Sequence, residues 1–429
     1  MNVNTYKVII SLVFFVSINL SLFAQKPIWD KYFSEDIETV QIYPPGDVMG
    51  DAFLILGDKS SKLQLTFDLF GEEYVNFEYT LIHCDADWLP TQDLLPNEYI
   101  EGYTEDYIND YEYSINTKQP YVHYKLLFPG ENMKITKSGN YILKVYPEDM
   151  PNKPAFVKRI MVFDPKTSIG GKINRASDPS LRKKDQEIDF AVNIASLGSR
   201  FPSKELRVFI RQNGRWDNMI KDIQPLSISN DVMDFDLQDA SNTFPGLNTF
   251  RYFDFSSMQY SSEYIYRIDK SADIDKVYLL DGKPRRFEEY IDNPDFHGQY
   301  YIETKDWPNS HVEAEYSDVF FTLNYPNPLI DGEVYIVGEL TNWNITPYNK
   351  MTYNYEKKAY ETTLFLKQGY YSYVYGFLPT DKKVVDVAFM EGTHYQTQNQ
   401  YYVFVYYREA GTIYDQLVGV GVLKDYSFN

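Results

Sequence analysis

Polar and apolar side chains alternate in the stretch Lys62-Leu63-Gln64-Leu65-Thr66-Phe67-Asp68. Neighbouring side chains of a β-strand point to opposite faces, so a period of two buries one face and leaves the other in water. An α-helix has 3.6 residues per turn and buries no face at that spacing. The same period recurs along the chain, with inward positions at Phe77, Tyr79, Leu81; Ile188, Phe190, Val192, Ile194; Leu206, Val208, Ile210; Tyr360, Thr362, Leu364, Leu366; and Tyr371, Tyr373, Tyr375, Phe377.

Turn-forming residues separate these stretches at intervals of roughly ten residues, which is typical of β-sandwiches. Examples are Pro129-Gly130, Asn213-Gly214 and Asp331-Gly332. Helical periodicity is weak, and only Leu94 to Tyr107 could hold a short helix or an aromatic-rich loop. We therefore expect an all-β chain of three consecutive immunoglobulin-like β-sandwich domains after a signal peptide.

Two short polar stretches suggest where the domains divide. The first is Asp164-Pro165-Lys166, and the second runs from Asp306 to Ser310. The expected division is a signal peptide at 1–24, an N-terminal β-sandwich at 25–165, a middle β-sandwich at 166–310 and a C-terminal early-set-like β-sandwich at 311–429.

The N-terminus has the features of an export signal. Lys7 precedes an uncharged, mostly apolar run from Val8 to Phe23, and Ala24 is a small residue suited to cleavage before Gln25. A retained membrane anchor is the alternative. No later apolar run is long enough to cross a bilayer, so the mature chain is expected outside the cytoplasm without a direct membrane span.

The composition is acidic and rich in aromatic residues. Asp and Glu number 61 against 41 Lys and Arg, a formal net charge of −20. Such a chain is repelled by phosphates, which argues against nucleic acid as a partner, whereas it suits a basic rim on another protein. The 40 tyrosines and 28 phenylalanines favour pleated, half-buried surfaces.

Residues that could carry catalysis or hold a metal are scattered. The tightest group is His83, Cys84, Asp85 and Asp87, but adjacent strand residues point to opposite faces, so no metal is predicted. Cys84 is the only cysteine and is expected to be a small buried side chain, with a reactive thiol as the alternative. Nucleophile-elbow, phosphate-loop and dinucleotide motifs are absent, so neither a catalytic residue nor a cofactor is predicted. An enzyme with paired carboxylates stays open as an alternative.

Two aspartates spaced two apart occur three times. They are Asp85-Ala86-Asp87, Asp234-Phe235-Asp236 and Asp273-Ile274-Asp275, and none extends into a calcium-binding loop. Two acids at this spacing are expected on the wet face of a strand.

A motif near the C-terminus resembles a known class of binding module. The stretch from Gly332 through Glu339-Leu340-Thr341-Asn342-Trp343 is similar to early-set, immunoglobulin-like modules that bind starch or glycogen. There an aromatic side chain can stack on a sugar ring, which makes Trp343 the candidate surface residue for partner binding. The alternative is that Trp343 covers the sandwich core and binds nothing.

Longer stretches in a fixed order resemble one family over roughly residues 30 to 420. This family is the plug protein of the type IX secretion system of the Bacteroidetes. The matching stretches are His83-Cys84-Asp85-Ala86-Asp87-Trp88, Glu98-Tyr99-Ile100-Glu101-Gly102-Tyr103, Ile108-Asn109-Asp110-Tyr111-Glu112-Tyr113-Ser114, Tyr121-Val122-His123-Tyr124, Ser138-Gly139-Asn140-Tyr141, Gln212-Asn213-Gly214-Arg215-Trp216-Asp217-Asn218, Phe250-Arg251-Tyr252-Phe253-Asp254, Lys367-Gln368-Gly369-Tyr370-Tyr371 and Glu391-Gly392-Thr393-His394.

The resemblance implies a periplasmic protein of β-sandwich domains that seals the periplasmic mouth of a giant outer-membrane β-barrel translocon. The implied partner is that barrel protein, and the chain is expected to be a monomer within the hetero-complex. The family pattern includes no catalytic residue, metal or cofactor. The alternative function is a periplasmic glycan-binding module that uses the C-terminal early-set-like domain.

Overall fold

The computed structural model describes residues 27, 29–424 and 426–427, so the expected signal peptide at 1–24 lies outside the described residues. Strands dominate this part of the chain, and the four α-helices in it are each one turn long. None of its helices has the length and apolar character needed to cross a membrane. The helices are α1 (Pro96–Tyr99), α2 (Pro202–Glu205), α3 (Ser310–Glu313) and α4 (Ala388–Glu391), with 3-10 turns at Ala195–Leu197, Glu339–Thr341 and Pro347–Asn349.

The first structural unit is a two-sheet sandwich. Its strands are β1 (Lys31–Tyr32), β2 (Ile37–Tyr43), β3 (Phe53–Ile55), β4 (Leu63–Phe70), β5 (Phe77–Cys84), β6 (Ile100–Gly102), β7 (Glu105–Ile108), β8 (Asp110–Tyr113), β9 (Tyr121–Phe128), β10 (Met133–Ile135), β11 (Gly139–Pro147) and β12 (Phe156–Phe163). One sheet has the order β1-β12-β11-β5-β7, with β3 parallel to β12, and the other has the order β2-β4-β9-β8. Strands β6 and β10 pair separately.

The alternating stretches of the sequence form the core between these two sheets. Leu63, Leu65 and Phe67 on β4 are fully buried and face Phe77 and Tyr79 on β5. The Phe67 ring lies 5.3 Å from the Phe77 ring, centroid to centroid, in an edge-to-face contact. The predicted period-two strands are therefore confirmed here.

The second unit begins with β13 (Ser168–Arg175), β14 (Asp185–Asn193), β15 (Leu206–Gln212), β16 (Ser227–Ser229), β17 (Val232–Asp234) and β18 (Thr243–Pro245). The third unit contains β19 (Arg251–Asp254), β20 (Ile265–Asp269), β21 (Asp275–Leu279), β22 (Tyr300–Ile302), β23 (Tyr316–Asn324), β24 (Gly332–Val337), β25 (Lys350–Asn354), β26 (Ala359–Lys367) and β27 (Gly369–Pro379). These nine strands form one sheet in the order β19-β27-β24-β25-β26-β23-β21-β20, with β22 beside β27.

The last strands return to the second unit. They are β28 (Tyr401–Tyr407), β29 (Gln416–Leu423) and β30 (Tyr426–Ser427). The chain pairs them as β15-β28-β29 in one sheet and β16-β17-β14-β13-β30 in the other, with β18 beside β14. One face of β28 and β29 shares a core with the strands of 168–245, and the other face packs against the first unit.

The strand pairing does not follow the expected boundary at residue 310. Strands β19 to β22 precede that residue but pair within the third unit, and β28 to β30 follow it but pair within the second. The reason is that β15 needs a partner to bury its apolar face, and the distant apolar strand β28 supplies it. The all-β, sandwich-based fold class is confirmed, while the division into domains at 165 and 310 stays a prediction.

Candidate partner-binding surface

The first unit ends on one side in two adjacent edge strands. Strand β7 is the last strand of one sheet and β8 is the last strand of the other, and Ile108 at the end of β7 is buried in the core between them. Within the described residues, each of these strands pairs on one side only. An edge strand with free backbone groups is a place where another chain can add.

Acidic and tyrosine side chains are exposed on β7 and β8 and on the segment of chain that leads into β7. Glu101, Glu105, Asp110 and Glu112 are exposed, as are Tyr103, Tyr107 and Tyr113, the first of which is 63% exposed. Tyr74 adds to the same surface by stacking on Tyr111, with ring centroids 5.0 Å apart. We call these eight exposed residues the acidic tyrosine edge: Tyr74, Glu101, Tyr103, Glu105, Tyr107, Asp110, Glu112 and Tyr113.

The negative charge of the chain is concentrated in the first unit. Residues 37–164 contain 21 Asp and Glu but 10 Lys and Arg, so they carry more than half of the net charge of −20 in less than a third of the chain. An excess of one sign on one unit steers a partner of the opposite sign toward it.

The first unit is held against the second by polar and aromatic contacts. Asp87, in the turn after β5, accepts from Arg207 at 2.8 Å and from Lys221 at 2.9 Å. The Tyr406 hydroxyl donates to Asn140 over 2.9 Å, and both residues are buried. These contacts join β5 and β11 of the first unit to β15 and β28 of the second.

A buried polar cluster holds the first unit against the third. Asp68 on β4 accepts from Lys367 on β26 at 2.6 Å, from the Tyr316 hydroxyl at 2.7 Å and from His123 Nδ1 at 2.6 Å. Burial alone would raise the pKa of Asp68, but the charge of Lys367 and the hydrogen bonds from His123 and Lys367 outweigh burial and hold the pKa below its ordinary value. Asp68 is therefore an ionised group that ties two units together.

Trp343, the candidate from the sequence, lies at a junction between units. Its indole is half-buried and meets the Phe250 ring edge-to-face at 6.0 Å, and it packs directly over the backbones of Gly214 and Gly298. A ring wedged in this way is not a free platform for a sugar, and its role in binding stays a prediction.

The residues around His83 form a structural turn. His83 Nδ1 contacts the Thr91 hydroxyl at 2.8 Å, and burial lowers its pKa to about 4, so it is neutral. Cys84 is fully buried, and burial raises the pKa of its thiol. Trp88 follows in a left-handed conformation and meets Trp216 of the second unit edge-to-face at 5.4 Å.

The acid pairs lie apart from one another. Asp236 lies near Glu187 and Asp189, with oxygens of all three within 4.8 Å, whereas Asp275 pairs with Lys118 at 2.6 Å. Glu187 accepts from the Ser177 amide and hydroxyl, which occupies its oxygens. The cluster of Glu187, Asp189 and Asp236 does not by itself indicate a metal site.

The comparisons with known proteins agree with this architecture. Residues 37–164 match the family described as the type 9 secretion system plug protein, first domain. A crystal structure of a hypothetical protein from Parabacteroides merdae superposes with a TM-score of 0.89 at 33% identity, over 93% of this chain and 99% of that one.

The chain belongs to the type IX secretion system plug family. The matched range covers the first sandwich and hence the acidic tyrosine edge. This membership supports a part in type IX secretion and favours a structural rather than a catalytic role.

Two further structural matches carry no argument. An alkylpurine DNA glycosylase from Pseudomonas fluorescens, bound to DNA, has a TM-score of 0.18 at 9% identity over 30% of each chain. A putative membrane-anchored protein from Corynebacterium diphtheriae has a TM-score of 0.13 at 6% identity over 90% of this chain and 91% of that one. No curated protein matches the chain.

The acidic tyrosine edge was not singled out from the sequence. The stretch 94–107 was expected to be a short helix or an aromatic-rich loop, and it holds the one-turn α1 followed by β6 and the start of β7. The alternation of Glu101, Tyr103, Glu105 and Tyr107 with other residues is visible in the sequence. What is not visible there is that β7 and β8 end their sheets, because that depends on which strands pair.

Proposed function

We propose that this plug-family chain works in the periplasm, where it binds the outer-membrane barrel of the type IX system and seals its periplasmic mouth. The observation that carries the proposal is the family match at 37–164, which coincides with the unit that presents the acidic tyrosine edge. The partner is the barrel protein, and the chain acts by contact rather than by catalysis.

The architecture suits a seal. A barrel with many strands encloses a lumen wide enough to leak, so its closure needs a bulky, rigid body. Here the three units are joined by buried contacts such as Asp68 with Lys367, and Asn140 with Tyr406. A force on one unit is therefore transmitted to the others without a flexible linker.

The acidic tyrosine edge suits a contact that must also release. Tyrosine offers a large, rigid, amphipathic surface at a low cost in conformational entropy. Barrel rims and lumens are polar, and acids on the edge pair with lysine or arginine on such a rim. An interface of roughly 1,200–2,000 Å² in total, partly polar, binds specifically and still dissociates.

Co-purification tests the proposal. The chain is tagged at its natural locus, outer membranes are solubilised in mild detergent, and the bound proteins are cross-linked and identified. We expect one large outer-membrane barrel, with cross-links from the first unit near Tyr103 and Tyr113. We also expect deletion of the chain to let a normally excluded large antibiotic enter the periplasm.

The proposal would be refuted if no barrel protein co-purified with the chain and deletion of the chain left the antibiotic excluded from the periplasm. A pull-down on α-glucans, with Trp343→Ala as the comparison, checks the glycan-binding alternative in the same preparation. We expect no retention of either protein, because the indole is packed against Phe250 and two glycine backbones.

A further inference from the structure

A small cavity lies where the three units meet. Its volume is about 130 Å³, and its wall includes residues from every unit. Trp88 and Arg159 come from the first unit, Arg211 and Trp216 from the second, and Trp343 from the third. The cavity is separate from the acidic tyrosine edge.

Three residues that line this cavity each carry a buried side-chain donor without a partner in the part of the chain that the structure describes. These donors are Nη1 of Arg159, Nε of Arg211 and Nε1 of Trp88. The three residues are 7%, 5% and 1% exposed, respectively. A buried donor without an acceptor costs about 1–3 kcal/mol, and more when the donor is charged, so three around one cavity point to an acceptor that belongs there.

Aromatic rings fix the two guanidinium groups in place. The guanidinium of Arg159 lies 4.3 Å from the centroid of the Trp216 ring, and that of Arg211 lies 4.5 Å from the same centroid. Arg211 also lies 4.3 Å from the Tyr402 ring. Stacking of this kind holds the planar groups while leaving their edges free to donate.

Acids near the cavity accept some of the hydrogen bonds that its basic side chains can donate. Asp30 accepts from Arg159 Nε at 3.2 Å and lies 3.6 Å from the Lys158 ammonium, while Asp51 accepts from Arg211 Nη2 at 3.4 Å. Glu339 also lines the cavity, and burial raises its pKa to about 7. Three cations thus share this cavity with three carboxyl groups, of which Glu339 is partly neutral, in a protein of net charge −20.

We propose that this cavity binds one small oxyanion group, a phosphate or a carboxylate. The unpartnered N–H groups of Arg159, Arg211 and Trp88 would donate to its oxygens, and the charge of the two guanidinium groups would be balanced. The volume admits a group of this size. Because the donors come from two units and the wall from three, the bound anion stabilises their junction.

Direct titration tests the proposal on the intact mature chain. Inorganic phosphate and acetate are titrated separately by calorimetry at constant ionic strength, with sodium chloride as the balancing salt. Tryptophan fluorescence follows the same titrations, since Trp88, Trp216 and Trp343 line the cavity. We expect saturable binding of at least one anion, with one site per chain, and a rise in the melting temperature with its concentration.

Arg211→Lys is the informative variant, because it keeps the charge and removes the Nε donor. We expect it to weaken anion binding about tenfold or more, as the loss of a charge-assisted hydrogen bond does. Trp88→Phe keeps a ring and removes the indole donor, and we expect a smaller loss. Arg207→Lys is the matched control on the same strand, since Arg207 pairs with Asp87 and Asp222 outside the cavity, and it leaves binding unchanged.

Two results would overturn the proposal. One is that neither phosphate nor acetate binds more strongly than chloride, which would mean that solvent alone fills the cavity. The other is binding that Arg207→Lys weakens as much as Arg211→Lys, which would place the anion on the general surface. Binding of phosphate but not of acetate, or of acetate but not of phosphate, identifies the oxyanion that the site prefers.

Discussion

The Asp68 carboxylate and the Lys367 ammonium lie 2.6 Å apart although 299 residues separate them in the chain, and both side chains are 1% exposed. This ion pair links β4 of the first unit to β26 of the third. Its charges are compensated by each other and by His123 and the Tyr316 hydroxyl. Removing one partner leaves the other buried without an equal counter-charge.

We expect Lys367→Met to lower the free energy of unfolding by about 3–5 kcal/mol, because Asp68 would stay buried without its main cation. Urea unfolding monitored by circular dichroism measures the loss. The control is Lys357→Met, which removes an exposed cation paired with Glu361 at 2.6 Å. Surface pairs of this kind contribute about 0–1 kcal/mol, so equal losses in the two variants would show that the buried pair has no special weight.

The strands could be predicted from the sequence, whereas their partners could not. Alternation in Leu63, Leu65 and Phe67 is a local property, and it fixes which face of β4 is buried. Pairing of β15 with β28 depends on residues almost 200 positions away, and nothing local distinguishes β28 from any other apolar strand. Pairing of strands from opposite sides of residue 310 is therefore a property of the structure that no local pattern of the sequence indicates.

The candidate sites likewise depend on contacts between residues that are distant in the chain. Trp343 was visible in the sequence as an aromatic residue after a strand, but its burial depends on Gly214 and Gly298, which are distant in the chain. The convergence of Arg159, Arg211 and Trp88 on one cavity is likewise a product of the junction between units. No spacing motif indicates it.

Glu38 makes the stability of the protein depend on pH. Its side chain lines a cavity of about 500 Å³ between the first and third units, and burial, together with the charge of Asp68, raises its pKa to about 8. The unfolded chain releases this proton near pH 4.3, so the folded state binds more protons between these values. The contribution of Glu38 to stability is therefore complete below about pH 4 and is lost as pH rises through about 8.

We expect Glu38→Gln to reduce this dependence, because the amide stays neutral. Between about pH 6 and about pH 8.5 the wild type should lose about 2–3 kcal/mol more stability than the variant, since most of two pKa units is crossed and each corresponds to about 1.4 kcal/mol. Urea unfolding of both proteins at the two pH values gives the difference. Parallel behaviour of the two proteins would mean that Glu38 ionises normally.

The packing of Trp343 can be tested from the opposite side of the contact. A Cβ at Gly214 would overlap the Trp343 indole, so we expect Gly214→Ala to cost about 1–3 kcal/mol in thermal or urea unfolding. Gly170→Ala is the control, because a Cβ there meets no atom within 4 Å. Trp343→Phe combined with Gly214→Ala should recover part of the loss, and failure of the double variant to do so would argue against overlap as its cause.

The acidic tyrosine edge predicts how barrel binding depends on salt. We expect the triple variant Glu105→Gln, Asp110→Asn, Glu112→Gln to bind the co-purifying barrel more weakly at low salt, because three exposed negative charges no longer attract a basic rim. The wild-type affinity should fall as ionic strength rises, and that of the variant should fall less. Folding should be unaffected, since Glu112 forms a surface pair with Lys125 and the substitutions preserve shape.

The matched control removes three exposed acids outside the first unit, by Glu356→Gln, Asp381→Asn and Glu409→Gln. It changes the net charge by the same amount, so an effect of total charge alone would appear equally in both variants. We expect the control to keep the wild-type affinity and its salt dependence in surface plasmon resonance with the detergent-solubilised barrel. An affinity that is insensitive to salt in all three proteins would exclude charge attraction at this edge, and equal losses in both variants would exclude the edge as the contact.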